Sequence, residues 1–231
     1  MPKVLVLFYS RTGRTAAIAD AIAAGAEAVK FTEVEVRRID DLAPPQVIDA
    51  DSEWASARAR MAKKYRPLES IDALAECDAL IIGSPARYGA MSAELQHTLD
   101  RAESLRRRGA MVDKVASAFG SIAGPIAGPI TGPIAGPAMG PVAAPSPAPV
   151  RWLETHVASM LVALAHFGMI IVPPPPTGAA AHSNEHAARA GSGAEQQDLS
   201  LAIARQQGAR VAKVAEWVRH AKSHEAHGHH H

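Results

Sequence analysis

The sequence predicts an α/β protein: a five-stranded parallel sheet of order 2-1-3-4-5 with helices on both faces, a three-layer sandwich. Three observations predict it. Short, continuous apolar runs such as Val4 to Tyr9 and Ala79 to Gly83 suit strands buried on both faces. Helical periods separate these runs, which requires crossover connections and hence parallel pairing. Two of the runs end in polar, glycine-containing turns, as expected where the strand order reverses and ligands bind. A chain of 231 residues, 48% hydrophobic and 20% charged, suits one such domain.

Taken in order, Val4 to Tyr9 (V-L-V-L-F-Y) is the first strand, and a polar turn leads into an alanine-rich helix from Thr15 to Val29. Val34, Val36 and Ile39 mark the second strand. Ala43 to Pro67 is a connection with Pro44-Pro45 and a short helix around Trp54 to Lys63. Ala79 to Gly83 is the third strand. Ser92 to Leu105 reads as one helix, with Leu95, Leu99 and Ala102 on one face. Lys114 to Gly120 is the fourth strand. Trp152 to Phe167 carries Leu153, Val157, Met160, Leu161 and Leu164 at helical spacing. Met169 to Val172 is the fifth strand, stopped by Pro173 to Pro176. Thr177 to Gln196 reads as a loop. Asp198 is the expected N-cap of a last helix whose Leu199, Ile203, Val211, Val214 and Val218 face inward. Residues 1–222 thus form one domain of the doubly wound, flavodoxin-like class. Within it 122–150 is a Pro/Gly-rich, insertion-like loop. Residues 223–231 are a histidine-rich tail, disordered or the remnant of a tag.

Twelve of the 17 prolines lie between Pro125 and Pro176. No Asp, Glu, Lys or Arg occurs from Val115 to Val150, yet proline at every fourth position from 125 to 141 prevents a membrane-spanning helix, so no integral membrane segment is expected. The period of four also excludes a collagen-like repeat. A net charge of +1 gives no electrostatic footprint for nucleic acid. Cys77 is the single cysteine, so no intrachain disulfide forms; a structural role and a cytoplasmic, reducing compartment are expected. The sequence opens into a strand with no signal-peptide pattern, and no metal site is expected.

The turn after the first strand is Ser10-Arg11-Thr12-Gly13-Arg14-Thr15. Free N–H groups and the helix dipole make such a position an anion site. Gly13 allows close backbone approach, the hydroxyls of Ser10, Thr12 and Thr15 are donors, and Arg11 and Arg14 add positive charge. A Walker A lysine and a G-x-G-x-x-G pattern are both missing, which disfavours ATP and a dinucleotide fingerprint. The turn after the third strand, Gly83 to Ser92, sets Pro85, Arg87 and Tyr88 between glycines. A flat heteroaromatic ligand needs that mixture of surface and backbone donors.

At these two turns the chain resembles the WrbA-type NAD(P)H:quinone oxidoreductases, which are flavodoxin-like and bind FMN. The family's first loop, S-x-x-G-x, is matched by Ser10 and Gly13. Its second, G-[ST]-P-T-R-[FY]-G-x-M-S, is matched by Gly83, Ser84, Pro85, Arg87, Tyr88, Gly89, Met91 and Ser92. The segments A-P-P-Q-V-I-D, A-H-F-G-M-I-I-V-P and S-L-A-I-A-R-Q-Q-G also look like that family. The resemblance implies an FMN-dependent oxidoreductase passing electrons from NAD(P)H to a quinone-like acceptor, in a homo-oligomer (dimer or tetramer). It implies that Ser10, Arg11, Thr12, Gly13, Arg14 and Thr15 hold the FMN phosphate, and that Pro85, Ala86, Arg87, Tyr88 and Gly89 contact the isoalloxazine. Gly120 and Ser121 would close the site from the fourth strand. His166 would be the catalytic residue beside the flavin face; on its residues alone it reads as a helix-end histidine near the last carbonyls.

The chain departs from the family pattern at several positions. Ala86 stands for the usual Thr, Ser104-Leu105-Arg106 stands where the family has G-G-L-W, and from Ile122 a Gly-Pro repeat replaces the third flavin loop. The later G-x-P-Y-G loop has no counterpart in Thr177 to Gln196. These departures keep a second hypothesis open: a flavodoxin-like module without catalysis that serves in interaction or assembly. A one-electron carrier ranks below both, because such carriers are typically acidic.

Overall fold

The computed structural model describes residues 1–86, 89–122, 148–173 and 193–228. Arg87, Tyr88 and residues 123–147 of the Gly-Pro segment lie outside the described residues, as do most of the loop expected at 177–196 and the last three histidines.

The apolar runs pair in one parallel sheet. β1 (Lys3–Phe8) lies between β2 (Glu33–Arg38) and β4 (Ala79–Ala86), in the registers Val6↔Val36 and Val6↔Ile81. β5 (Val115–Ile122) follows β4, and β6 (Ile170–Ile171) lies beyond it. These five strands have the expected order. A further strand, β3 (Arg66–Pro67), pairs with Arg37 and Arg38 of β2, giving β3-β2-β1-β4-β5-β6. The sequence places these two residues in a connection. Pro67 has no N–H to give a further strand, so β3 is confined to a short edge.

Helices cover both faces. α1 (Arg14–Glu27) follows β1; α2 (Pro45–Asp49) and α3 (Ser52–Lys64) fill the connection after β2; α4 (Ala73–Glu76) precedes β4. The helix expected over 92–105 is two, α5 (Ala93–Arg101) and α6 (Glu103–Arg107), divided at Ala102. α7 (Ala148–His166) begins four residues before the expected Trp152, with Pro149 in its first turn, where a missing N–H costs no hydrogen bond. α8 (Gly193–Gly228) starts before Asp198, which therefore lies within the helix rather than capping it. It also runs into the tail expected to be disordered, because good helix formers continue past Val218.

Alternation along β1 divides the core. Val4, Val6 and Phe8 face α1 and α8, while Leu5 and Leu7 face α5, α6 and α7. α1 and α8 cross so closely that a Cβ on Gly25 would lie 1.9 Å from the Arg205 carbonyl oxygen, and one on Gly208 would lie 1.9 Å from that of Ile22. α8 is further tied to the sheet by Gln207, whose Nε2 donates to Ser117 Oγ (2.8 Å) and to the Ala118 carbonyl (2.9 Å). All strands run the same way, so the C-terminal ends of β1, β4 and β5 share one rim. The polar turns emerge there.

Candidate functional site

The first turn is folded by its own side chains. The Gly13 N–H donates to Ser10 Oγ at 3.0 Å, closing the turn. Gly13 takes φ +98°, a left-handed value costly for any other residue, and a Cβ there would meet no atom of another described residue within 4 Å. Glycine is thus required by backbone conformation, and the described residues leave the space above it open. Thr15 Oγ1 and Ser121 Oγ, both buried, lie 2.7 Å apart and join the start of α1 to the end of β5. The first N–H groups of α1 have no partners inside the helix and point out of its N-terminus.

The second turn is pinned by Ser84. Its fully buried hydroxyl accepts the Ser92 N–H at 2.8 Å and donates to the Pro85 carbonyl at 3.1 Å. Ser92 in turn caps α5, accepting the Leu95 N–H at 3.4 Å. Gly83 owes its identity to packing: a Cβ there would sit 2.0 Å from the Phe119 ring. Gly89 takes φ +75°.

A cavity of about 610 Å³ opens between these turns. Ser10, Arg11, Thr12, Arg14 and Thr15 line it from the first turn, and Ser121 from β5. Pro85 and Ala90 to Glu94 line it from the second. Its size is that of a cofactor site. The sequence reasoning missed its third wall, which is α3. Asp51 accepts the Trp54 N–H at 3.0 Å and so caps that helix, while its other oxygen accepts from Arg11 at 2.9 Å. The Arg11 guanidinium lies 3.9 Å above the Trp54 ring. Trp54 Nε1 donates to Asp41 Oδ1 at 2.9 Å, and the Tyr9 hydroxyl donates to the same oxygen at 2.9 Å. The Trp54 N–H and the Arg11 guanidinium hold the Asp51 carboxyl below the usual carboxylate range. Burial, with Glu94 and Asp41 nearby, raises the Tyr9 hydroxyl above its ordinary value, so it stays a neutral donor. The signal for this wall was limited to an N-cap Asp three residues before a Trp.

The structure therefore brings together Ser10, Arg11, Thr12, Arg14, Thr15, Pro85 and Ser121 around one cavity. Gly13 lies within the first of these segments. Gly120 precedes Ser121 on β5, and Ala86 ends β4. Arg11, expected to add positive charge to the turn, is engaged with Asp51 and Trp54. His166 lies elsewhere. It lines a shallow depression with Gln96, Asp100 and Glu103, apart from this cavity. The physical reason is direction: α7 runs antiparallel to the strands, so its last residue reaches the rim where β5 and β6 begin. Cys77 is buried, and desolvation pushes its thiol up to about 12, in keeping with a structural role. Among the described residues no helix is long and apolar enough to cross a membrane.

Residues 2–131 match the family described as NADPH-dependent FMN reductase. The NAD(P)H dehydrogenase (quinone) of Rhodopseudomonas palustris (strain TIE-1) is 33% identical over 172 residues, 74% of this chain and 70% of that protein. The protein of the same name from Nitrobacter winogradskyi is 34% identical over the same shares. Among solved structures, the flavodoxin, WrbA-like protein from Agrobacterium tumefaciens matches with a TM-score of 0.54 at 17% identity, covering 94% of this chain and 99% of that one. That likeness establishes the flavodoxin-like fold.

Proposed function

The chain belongs to the NADPH-dependent FMN reductase family, and from that premise we propose that it is an FMN-dependent oxidoreductase carrying electrons from NAD(P)H to a quinone-like acceptor. The carrying observation is the convergence at one rim: an open glycine turn, buried hydroxyls from β1's turn and from β5, and a cavity bounded by the second turn. This donor set fits FMN. A phosphate needs N–H and O–H donors around a backbone it can approach, which the segment from Ser10 to Thr15 offers together with Ser121. A planar ring needs a flat, mostly apolar surface, which Pro85, Ala90 and Met91 offer.

Bound FMN supplies the hydride acceptance and the electron delivery. The protein's part is binding, orientation and electrostatics. Ser10, Thr12 and Thr15, the first-turn N–H groups of α1, and Arg14 take the phosphate. Pro85, Ala86 and Gly89, with Arg87 and Tyr88 of the same turn, hold the ring, and Gly120 and Ser121 close the site from β5. Tyr9 remains protonated at neutral pH and lines the cavity as a neutral polar group. A homo-oligomer, dimer or tetramer, in the cytoplasm completes the proposal.

The test is spectroscopic. The purified protein, incubated with FMN and desalted, should keep a flavin absorbance band that NAD(P)H bleaches and an added quinone restores. Protein that stays colourless would sink the proposal and favour a non-catalytic module. Light scattering on the same sample reads the oligomeric state.

A further inference from the structure

Arg11 is not placed as a loose surface cation. Its guanidinium lies 3.9 Å over the Trp54 ring and donates to Asp51 at 2.9 Å. Each partner is itself fixed. Trp54 is buried, its Nε1 donates to Asp41, and its backbone N–H donates to Asp51. Asp41 also accepts from Tyr9 at 2.9 Å, and its second oxygen is 3.7 Å from Arg58 Nε. Four segments of chain therefore meet around Trp54: Tyr9 just after β1, Asp41 after β2, the cap of α3, and Arg11 of the first turn. Besides Trp54, α3 buries Ala57 and packs Met61 against the core, and this polar network fixes its N-terminal end beside the cavity.

We propose that Asp51 and Trp54 of α3 are positioning residues that hold Arg11 as a phosphate clamp, so that the site selects the phosphorylated flavin over riboflavin. The inference rests on the flavin proposal above. Guanidinium carries five donors in a rigid fork, and among the described residues Arg11 makes no hydrogen bond besides that to Asp51. The remaining donors suit phosphate oxygens. Stacking on the indole removes rotamer freedom before the ligand arrives, so less ordering is paid for on binding. Asp51 lies at the same cavity and accepts both from Arg11 and from the α3 backbone, which fixes the arginine's reach as well as its plane.

The test is titration of the full chain with FMN and, separately, with riboflavin, followed by quenching of flavin fluorescence at low and high salt. Wild type should bind FMN far more tightly than riboflavin. R11A should weaken FMN about tenfold, flatten its salt dependence and leave riboflavin unchanged, since a charge-assisted contact to phosphate is lost. R11K should restore part of the loss, because ammonium keeps the charge but not the fork. W54F keeps an aromatic face and loses the Asp41 bond; it should weaken FMN several-fold without moving riboflavin. D51N retains a capping side chain and should also weaken FMN. Equal losses for both flavins in R11A, or none, would overturn the clamp. So would tighter FMN binding by D51N, which would mean that Asp51 merely neutralises Arg11. Wild type that binds neither flavin would instead overturn the flavin proposal, so the two failures are distinct. Circular dichroism on each variant verifies that α3 and the sheet are intact.

Discussion

The two faces of the sheet are packed by different means. On one face α1 and α8 meet backbone to backbone at Gly25 and Gly208, with Ala19, Ala23, Ala26, Ala204, Ala212 and Ala215 buried around the crossing. On the other, α5, α6 and α7 pack through long side chains: Leu95, Leu99, Leu105, Met160 and Leu164, with Met111 of the turn after α6. Backbone contact leaves nothing that can rotate away, whereas leucine and methionine repack. The second face also holds a misfit. His156 is fully buried one turn before Met160, and neither ring nitrogen has a hydrogen-bond partner among the described residues. The comparison teaches where the fold tolerates change. The α1/α8 side is fixed, and the α5–α7 side has slack.

The largest break should come from Gly208→Ala. Its methyl would occupy the space of the Ile22 carbonyl, and the helices must separate, at a cost of about 3 kcal/mol. Urea denaturation reads it; a loss under about 1 kcal/mol would mean the close crossing is not the native one. Next comes Gln207→Leu, which strips two donors from the buried Ser117 and Ala118 acceptors and should cost about 2 kcal/mol.

On the slack face the sign reverses. His156→Leu removes an unsatisfied buried group and should raise stability by about 1 kcal/mol at neutral pH. It should also change the acid limb of stability. Burial lowers the folded pKa of His156 from 6.5 to about 4, so the unfolded chain takes up the proton first. Wild-type stability should therefore fall as pH drops from 6.5 towards 4, and that component should vanish in the variant. An unchanged acid limb in the variant would put the histidine in contact with a partner or with water. The smallest effect is expected at Cys77, also on this face. Cys77→Ala should cost about 1 kcal/mol, because a small side chain is lost among adjustable neighbours. With its thiol pushed up to about 12, native Cys77 should resist iodoacetamide at pH 8 and react only on unfolding.

Legibility differed sharply between parts of the molecule. Continuous apolar runs suffice to mark strands buried on both faces, and five strands and their order follow from sequence. β3 is too short to carry a pattern, and the break at Ala102 interrupts a helix by one residue without any proline or glycine. At the site, the turn from Ser10 to Thr15 is contiguous and was recognisable from residue types. The Thr15–Ser121 contact spans 106 positions and the Tyr9–Asp41 contact 32, and no local pattern encodes such distances. Gly83 looked like part of a ligand loop; its closest neighbour is the Phe119 ring across the sheet.

By itself, then, the sequence determined what is local: the strand runs, their alternation with helices, and a hydroxyl-rich glycine turn at a strand end, all set by periodicity and backbone preference. Only the tertiary structure decided what depends on direction and distance. Parallel strands bring the turns of β1 and β4 and the end of β5 to one rim, while the antiparallel return of α7 carries His166 to the other. Packing of α3 against the first turn then makes Arg11, legible in sequence only as a positive charge, a stacked and paired one.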